Sequence, residues 1–457
     1  MSRVEKVEKV RLGDHLDFSN GHTSGHTSPA SEPGGRYPVY GANGVIGYSA
    51  QHNARGPLIV VGRVGSYCGS LRYCDSDVWV TDNALACRAK KPEETRYWYY
   101  ALLGFGLNRY RAGSGQPLLS QGVLRNVSVS AVAAPDRPRI GEILGAFDDK
   151  IAANDRVIEA AEALMLAIVG RLSAYVPLSS LASRSTACLD AQHFDSTVAH
   201  YSFAAFDGGA QPSRVGGRTI RSAKLVVSQP CVLFPKLNPR IPRIWNITSL
   251  PSEMALASTE FVVLRPVGVD TSALWAALRQ PDVLAELRQL VGGMTGSRQR
   301  IQPTQLLRVW VRDVRRLTPG HAAAIANLGA LCNERRIESA RLASCRDALL
   351  PLLMSGIDGL PAGRYPSTMS LNIKSQRTVA LVRELAARTG TNQTAAVEDA
   401  VARRLSELDR EDRARAEARR AAAEQTLRDL DKLLSDDDKR LIRRHEVDLY
   451  DDSGLPR

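Results

Sequence analysis

The sequence predicts an α+β protein: two tandem domains of like fold, separated by two long helices that pair antiparallel as a coiled coil, and a small C-terminal domain. Three observations predict it. The segment GSGQPLLSQGVLR (Gly113 to Arg125) returns 183 residues later as GSRQRIQPTQLLR (Gly296 to Arg308), and Leu144-Gly145-Ala146-Phe147 returns 184 residues later as Leu328-Gly329-Ala330-Leu331. Each repeat leads into a segment whose apolar residues alternate steps of four and three, the 3.5-residue period of a coiled-coil seam. Beyond Met369 the composition changes abruptly. A period this long is not that of a solenoid, whose units need stacked neighbours to bury a core; it marks a duplicated domain.

Residues 10 to 135 read as short strands between Gly-rich turns: PVYGANGVIGYS, PLIVVGRVGSYC and VWVTDNALACRA mix β-branched and aromatic residues with turn formers. The first seam then runs through Ile140, Leu144, Phe147, Ile151, Asn154, Ile158, Ala161, Met165, Ile168 and Leu172, with Asn154 as its polar interruption. A helix from Arg139 to Leu172 is about 50 Å long at 1.5 Å per residue. In the second half KLVVSQPCVLF, RIWNI and EFVVLRP are strands, and Ser272 to Leu290 is helical with a break at Pro281. The second seam runs through Leu328, Leu331, Arg335, Glu338, Leu342, Cys345, Leu349 and Leu352. Polar residues fall near the middle of both seams. An antiparallel pair lets them face one another.

At 457 residues the length suggests roughly three domains. The net charge of +12 favours a polyanionic partner, because Lys and Arg release counterions from a phosphate backbone on binding. Seven cysteines without a CxxC pair give neither a disulfide framework nor a zinc site, so a reducing cytoplasm is expected. The N-terminus MSRVEKVEKV alternates charge, and no run reaches the ~18 apolar residues of a membrane span. A soluble, intracellular protein is expected.

At residues 8 to 356 the chain resembles the specificity subunit of type I restriction-modification systems. The resemblance is carried by RYPVYGANGVIGYS, GPLIVVGRVGS, GSGQPLLSQ and the helix LGAFDDKIAANDRVIEAAEALMLAIV, then by GSRQRIQPTQLLRVWV and LLPLLMSG. It implies that each repeat is a target recognition domain reading one half of a split double-stranded DNA site. It further implies that the helices fix the unread spacer and dock two methyltransferase subunits, and that restriction and translocase subunits join for cleavage. The boundaries expected are 8–138 and 175–322 for the recognition domains and 139–174 and 323–356 for the spacer helices. No catalytic residue, metal or cofactor is expected in this chain.

The candidate DNA contacts fit that role chemically. Tyr37, Tyr40, Asn43 and Tyr48 on Gly-rich loops, with Arg63 and Ser66 in GRVGS, offer planar, hydroxyl and guanidinium groups to base edges and phosphates. Gln116 and Gln299 hold equivalent places in the repeat, and Gln can present donor and acceptor together to adenine. Lys236, Arg240, Arg243, Arg298 and Arg300 form a basic set in the second half.

Other motifs point away from catalysis. Pro135-Asp136 followed by Asp148-Asp149-Lys150 spells the PD…DxK string of metal-dependent nucleases, but Asp148 and Lys150 fall inside the heptad helix instead of on adjacent strands. Asn238-Pro239-Arg240-Ile241 departs from the NPPY loop of amino-methyltransferases by lacking the second Pro and the aromatic that stacks on a flipped base. There is no GxxxxGK[ST] phosphate loop. His22 and His26 lie in a Gly/Ser-rich tandem GHTSGHTS, where a loop cannot hold them at the i, i+4 spacing of helical metal ligands.

After a Gly/Pro linker (357–368), SLNIKS alternates Leu371 and Ile373 with Ser370, Asn372 and Lys374, and two helical patterns follow. This strand, helix, helix order resembles the ribbon-helix-helix fold of VapB-type antitoxins over 369–410, and 411–457 resembles their toxin-binding tail. The resemblance implies that two chains pair their strands and point Ser370, Asn372 and Lys374 into a major groove, with a VapC-type toxin as a further partner. The reading is therefore a non-catalytic DNA-recognition subunit with an antitoxin-like appendage. Its rivals are an antitoxin or repressor with vestigial recognition domains, and a self-contained methyltransferase or nuclease.

Overall fold

The computed structural model describes residues 7–23, 36–112, 117–194, 196–237, 241–291 and 300–354. The ribbon-helix-helix reading of the C-terminal segment lies outside the described residues, as does His26.

The first domain comprises β1 (Val7–Arg11), α1 (Leu12–His15), β2 (Leu16–Asn20), β3 (Tyr37–Gly41), β4 (Gly44–Ser49), β5 (Leu58–Gly62), β6 (Leu71–Cys74), β7 (Trp79–Val80), β8 (Ala84–Ala89), α2 (Thr95–Phe105), α3 (Gln121–Asn126) and β9 (Ser128–Val132). Its main sheet is antiparallel in the order β2-β8-β5-β6. The run LIVVG of β5 is buried on both faces, which is why it reads as continuous apolar sequence without alternation. A second sheet, β4-β3-β7, pairs β3 with β7 in parallel, and β1 pairs with β9.

The strand-rich reading of residues 10 to 135 is corrected at its helices, the short α1 and α3 and above all residues 95–105. Tyr97, Trp98, Tyr100 and Leu102 are all buried there, so tertiary packing overrides the weak helix propensity of aromatic residues. The buried carboxylate of Glu94 accepts from Trp98 Nε1 one turn on (3.1 Å), and Gly106 at φ 73 ends the helix in the left-handed region.

α4 (Arg137–Gly170) follows as an unbroken 34-residue helix. The second domain then comprises β10 (Tyr175–Pro177), β11 (Ala182–Ser185), β12 (Cys188–Leu189), β13 (Thr197–Tyr201), α5 (Phe203–Asp207), β14 (Ser213–Gly216), β15 (Lys224–Val226), β16 (Cys231–Pro235), β17 (Trp245–Ile247), β18 (Met254–Ala257), β19 (Phe261–Pro266), α6 (Thr271–Leu278), α7 (Pro281–Val291), α8 (Pro303–Leu306) and β20 (Trp310–Arg312). The helix break falls at Pro281, as its ring dictates. The sheet β11-β19-β16-β17 repeats the order and antiparallel sense of β2-β8-β5-β6. The sheet β12-β15-β18-β13-β14 contains the counterpart of β4-β3-β7, again with one parallel pair, and extends it by two strands. The ribbon β10-β20 repeats β1-β9.

α9 (Pro319–Met354) is 36 residues long and runs antiparallel to α4. Asp148 meets Arg346, Asn154 meets Ser339 and Glu162 meets Arg336, so one number rises as the other falls. Each long helix starts in the core of its own domain and ends against the other. Ile140 and Leu144 of α4 lie in the first core, and Leu349, Leu350, Leu353 and Met354 of α9 pack on it. Ile158, Ala161, Met165 and Val169 of α4 join Ile325, Leu328 and Cys332 of α9 in the second core. Burial of Met165 or Val169 alone contributes about 1.5–3 kcal/mol.

The second seam is displaced from the sequence reading. Cys345 and Leu352 are exposed, whereas Ile325 and Cys332 point inward. The cause is a third partner: the first half of α9 is shared between α4 and α6, so its buried stripe cannot follow a two-helix seam. Gly145 and Gly329 mark this sharing. A Cβ at Gly145 would stand 2.4 Å from the Arg96 guanidinium on α2, and one at Gly329 would stand 2.0 Å from Ser272 Oγ on α6. The repeated Leu-Gly therefore serves the packing of each domain's own helix onto its spacer helix.

At the start of α4 the fully buried Arg137 ties three elements together. Its Nη2 donates to Glu8 on β1 (2.6 Å), its Nη1 to the buried Glu94 before α2 (3.3 Å), and its Nε to the Val132 carbonyl on β9 (2.9 Å). The nuclease-like string is absorbed in the same way. Asp148 accepts from the Tyr100 hydroxyl and from Arg346, Asp149 pairs with Arg96, and Lys150 donates to Asn154 (2.9 Å).

Candidate nucleic-acid interface

Two motifs singled out in the sequence meet in space. In the first domain the residue leaving β5 is Arg63, and the repeat element runs antiparallel beside it: Val64 bridges Leu118, Leu119 N donates to the Arg63 carbonyl (2.9 Å), and Gly65 N donates to the Pro117 carbonyl (3.0 Å). Arg63 N in turn donates to the Asn83 carbonyl (3.0 Å) at the turn before β8. Gly65 takes a positive φ of 69, and Ser66 and Tyr67 stand exposed on the turn it makes. The Arg63 Nε is enclosed without a hydrogen-bond partner among the described residues, while its Nη1 reaches the Asp82 carbonyl only at 3.4 Å.

The second domain builds the same junction. The residue leaving β16 is Lys236, whose N donates to the Glu260 carbonyl (2.8 Å) at the turn before β19 and whose carbonyl accepts from Ile301 N (2.9 Å), with Leu237 bridging Arg300. Leu119 and Ile301 are both buried. The backbone thus aligns Leu118 with Arg300, one residue off the register that the repeat spells in sequence, where Leu118 matches Ile301. Around the half-buried Lys236 ammonium stand Arg184, Arg300 and Glu260. Burial, aided by the two arginines and opposed by Glu260, holds Lys236 below the ordinary lysine range. Arg300 donates to Glu260 (2.7 Å), so the cluster is net positive.

The hairpins beside these junctions differ between the domains. β3 and β4 join through the tight turn at Ala42-Asn43, with Asn43, Val45 and Ile46 exposed and Gly44 at φ 112. β13 and β14 join instead through α5 and the residues after it. Tyr40 is half-buried and packs against the core of this sheet. Its carbonyl accepts from Thr81 N (3.0 Å), as the carbonyl of the buried Tyr201 accepts from Ser258 N (2.9 Å), so the two tyrosines are equivalent. The Tyr40 hydroxyl bonds the Cys74 thiol, and burial raises both groups, the thiol to about 11.

Tyr37 packs edge-on against His52 at 4.8 Å between ring centres, with the Arg36 guanidinium 5.8 Å from its ring, and Tyr48 lies half-buried opposite Pro38. Arg243 is held by Asp207 of α5 through two bonds (2.7 and 2.8 Å) over the Phe203 ring, so it braces the hairpin connection of the second domain. Gln116, Arg240, Arg298, Gln299, Ser370, Asn372 and Lys374 lie outside the described residues. Sequence reasoning passed over Arg72, an exposed residue of β6 whose guanidinium lies beside the Gly44 turn. Only the sheet order brings it there.

Two copies of one α+β domain, carried on an antiparallel helix pair and presenting matched basic junctions, define a tandem-domain scaffold. Two parts of the chain match known families. Residues 4–163 match the family model described as type I restriction modification DNA specificity domain, and residues 369–456 match that of the Rv0623-like transcription factor. The specificity subunit of the Escherichia coli type I restriction enzyme EcoprrI is 25% identical over 143 residues, covering 31% of this chain and 34% of that protein. The match thus spans about a third of the length of that curated relative. The crystal structure of the type I restriction-modification S subunit from M. genitalium shares the fold at a TM-score of 0.52 and 13% identity, over 78% of this chain and 97% of that one. The first domain and most of α4 thus match the type I restriction modification DNA specificity domain, the chain shares the fold of a type I S subunit, and an Rv0623-like transcription factor match lies at its C-terminal end. No helix among the described residues is long and apolar enough to cross a membrane.

Proposed function

We propose that this chain is the sequence-reading subunit of a cytoplasmic type I restriction-modification complex. Its two domains each read one half of a split double-stranded DNA site, and α4 and α9 act as a coiled-coil ruler between them. The observation that carries this reading is the duplicated junction: the same strand exit, the same turn and the same repeat element stand in both domains. The helix pair that bears them is about 50 Å long, more than the 34 to 36 Å of one DNA turn. Two methyltransferase subunits and the restriction subunits are the partners, and they supply the methyl transfer and cleavage.

Within this reading Asn43, Ser66 and Arg72 of the first domain, together with Tyr37, Tyr48 and Gln116, face the first half-site. Lys236 and Arg300, with Arg240, Arg298 and Gln299, face the second. The Rv0623-like match favours a second role for residues 369–457: DNA binding through Ser370, Asn372 and Lys374, and capture of a VapC-type toxin. Methylation-sensitive sequencing of a host with and without this gene tests the main reading. The expected result is one bipartite adenine-methylated motif that disappears with the gene. An unchanged methylation pattern rejects it, and binding of the chain to its own promoter alone would favour the repressor role.

A further inference from the structure

The two domains differ where a reader of sequence should differ and agree where a reader cannot. Their hairpin connections are unlike: a tight turn at Ala42-Asn43 in one, and α5 with its following loop in the other. Their strand exits are alike, and each carries a cation. Arg63 and Lys236 leave equivalent strands of equivalent sheets, and the same pair of backbone bonds fixes each between the turn and the repeat element. Their side chains must therefore leave the backbone in the same direction.

A position that is cationic in both domains cannot be reading bases if the domains read different half-sites. Arg and Lys also read bases differently: Arg presents a planar fork and Lys a point charge. What every half-site shares is its phosphate backbone, which either cation can bind and which fixes register without carrying sequence information. We infer that Arg63 and Lys236 are the paired phosphate anchors of the two domains, one per half-site, setting each domain's register on the duplex while the hairpins and the repeat element contact the bases. This inference rests on the DNA-reading function proposed above.

Two further features support it. Among the described residues the Arg63 guanidinium makes one long bond, from Nη1 to the Asp82 carbonyl (3.4 Å), so the outer end of its fork has donors to offer an anion. Lys236 is half-buried among Arg184, Arg300 and Glu260, and Arg300 holds the one carboxylate, so an approaching phosphate meets a positive cluster already partly stripped of water.

The test is a salt series of binding isotherms for the full chain on a mixed-sequence DNA duplex, with Arg63→Gln and Lys236→Gln compared with the unaltered protein. Each phosphate contact contributes about 0.9 to the slope of log K against log salt. Each Gln variant should flatten the slope by about that amount, and the double variant by about twice it. Arg63→Lys and Lys236→Arg should retain it, which separates loss of the contact from loss of the fold. The methylation motif of each Gln variant, assembled with its partner subunits, should keep both half-sites. An unchanged slope in the Gln variants, or a changed base preference in either half-site, overturns the inference. Failure of the unaltered chain to bind duplex DNA at all is a separate result, and it removes the underlying reading as well.

Discussion

Asn154 on α4 faces Ser339 on α9 across the middle of the helix pair, its Nδ2 donating to Ser339 Oγ at 3.2 Å while its Oδ1 accepts from Lys150. Asn154 is 1% exposed and has apolar neighbours along its seam in both directions. A single buried polar residue in such a seam selects one alignment at a cost in stability.

Replacing Asn154 with Leu should therefore raise the melting temperature slightly, the change in unfolding free energy staying within about 1.5 kcal/mol. The alignment of the helices should loosen at the same time, and methylated half-sites should occur at more than one spacing. A lower melting temperature with a single unchanged spacing would show that the pair aligns the helices by packing alone.

Arg137 predicts a larger effect. Its side chain is buried with Glu94, and Glu8 completes the pairing from the rim. Arg137→Met should cost about 3–5 kcal/mol in denaturant unfolding, because it leaves the Glu94 carboxylate buried without its main counter-charge. Glu94→Gln in the same chain should restore part of that loss. If the single variant unfolds within 1 kcal/mol or so of the unaltered chain, the network does not hold α4 to the first domain.

The Arg243–Asp207 pair gives a pH dependence. The two hydrogen bonds from Arg243 hold Asp207 below the ordinary aspartate range, opposed by slight burial. A depressed carboxylate adds stability that is fully present above its unfolded value of about 3.9 and is lost as pH falls through the lower folded value. Asp207→Asn should therefore melt below the unaltered chain at neutral pH, and the gap should close in acid. A gap that persists at the lowest pH at which both still fold would assign the effect to shape instead of charge.

Much of the architecture is visible in the sequence because it is repeated there. The long period, the two seams and the strand-bearing segments between Gly-rich turns all carry local signals, and Pro281 breaks its helix because its ring must. Other features rest on contacts that no local pattern encodes. The aromatic run at Tyr97 to Tyr100 suits a strand by propensity and becomes helical only because Gly141 and Gly145 let it lie against α4. The second seam shifts to Ile325 and Cys332 because α6 takes a share of α9. Among the candidate site residues, Arg63 and Lys236 stand in different motifs, and only the sheet order shows them to be equivalent. Tyr40 packs half-buried against its core at the place that the buried Tyr201 holds in the second domain, each on a strand of the parallel pair.

The central claim is that two independent readers stand on one scaffold. Exchanging residues 8–138 for the corresponding domain of a type I specificity subunit of known site, followed by methylation mapping, tests it most directly. One half of the bipartite motif should change to that of the donor, while the other half and the spacer stay as they were. A change in both halves, or in neither, would contradict it.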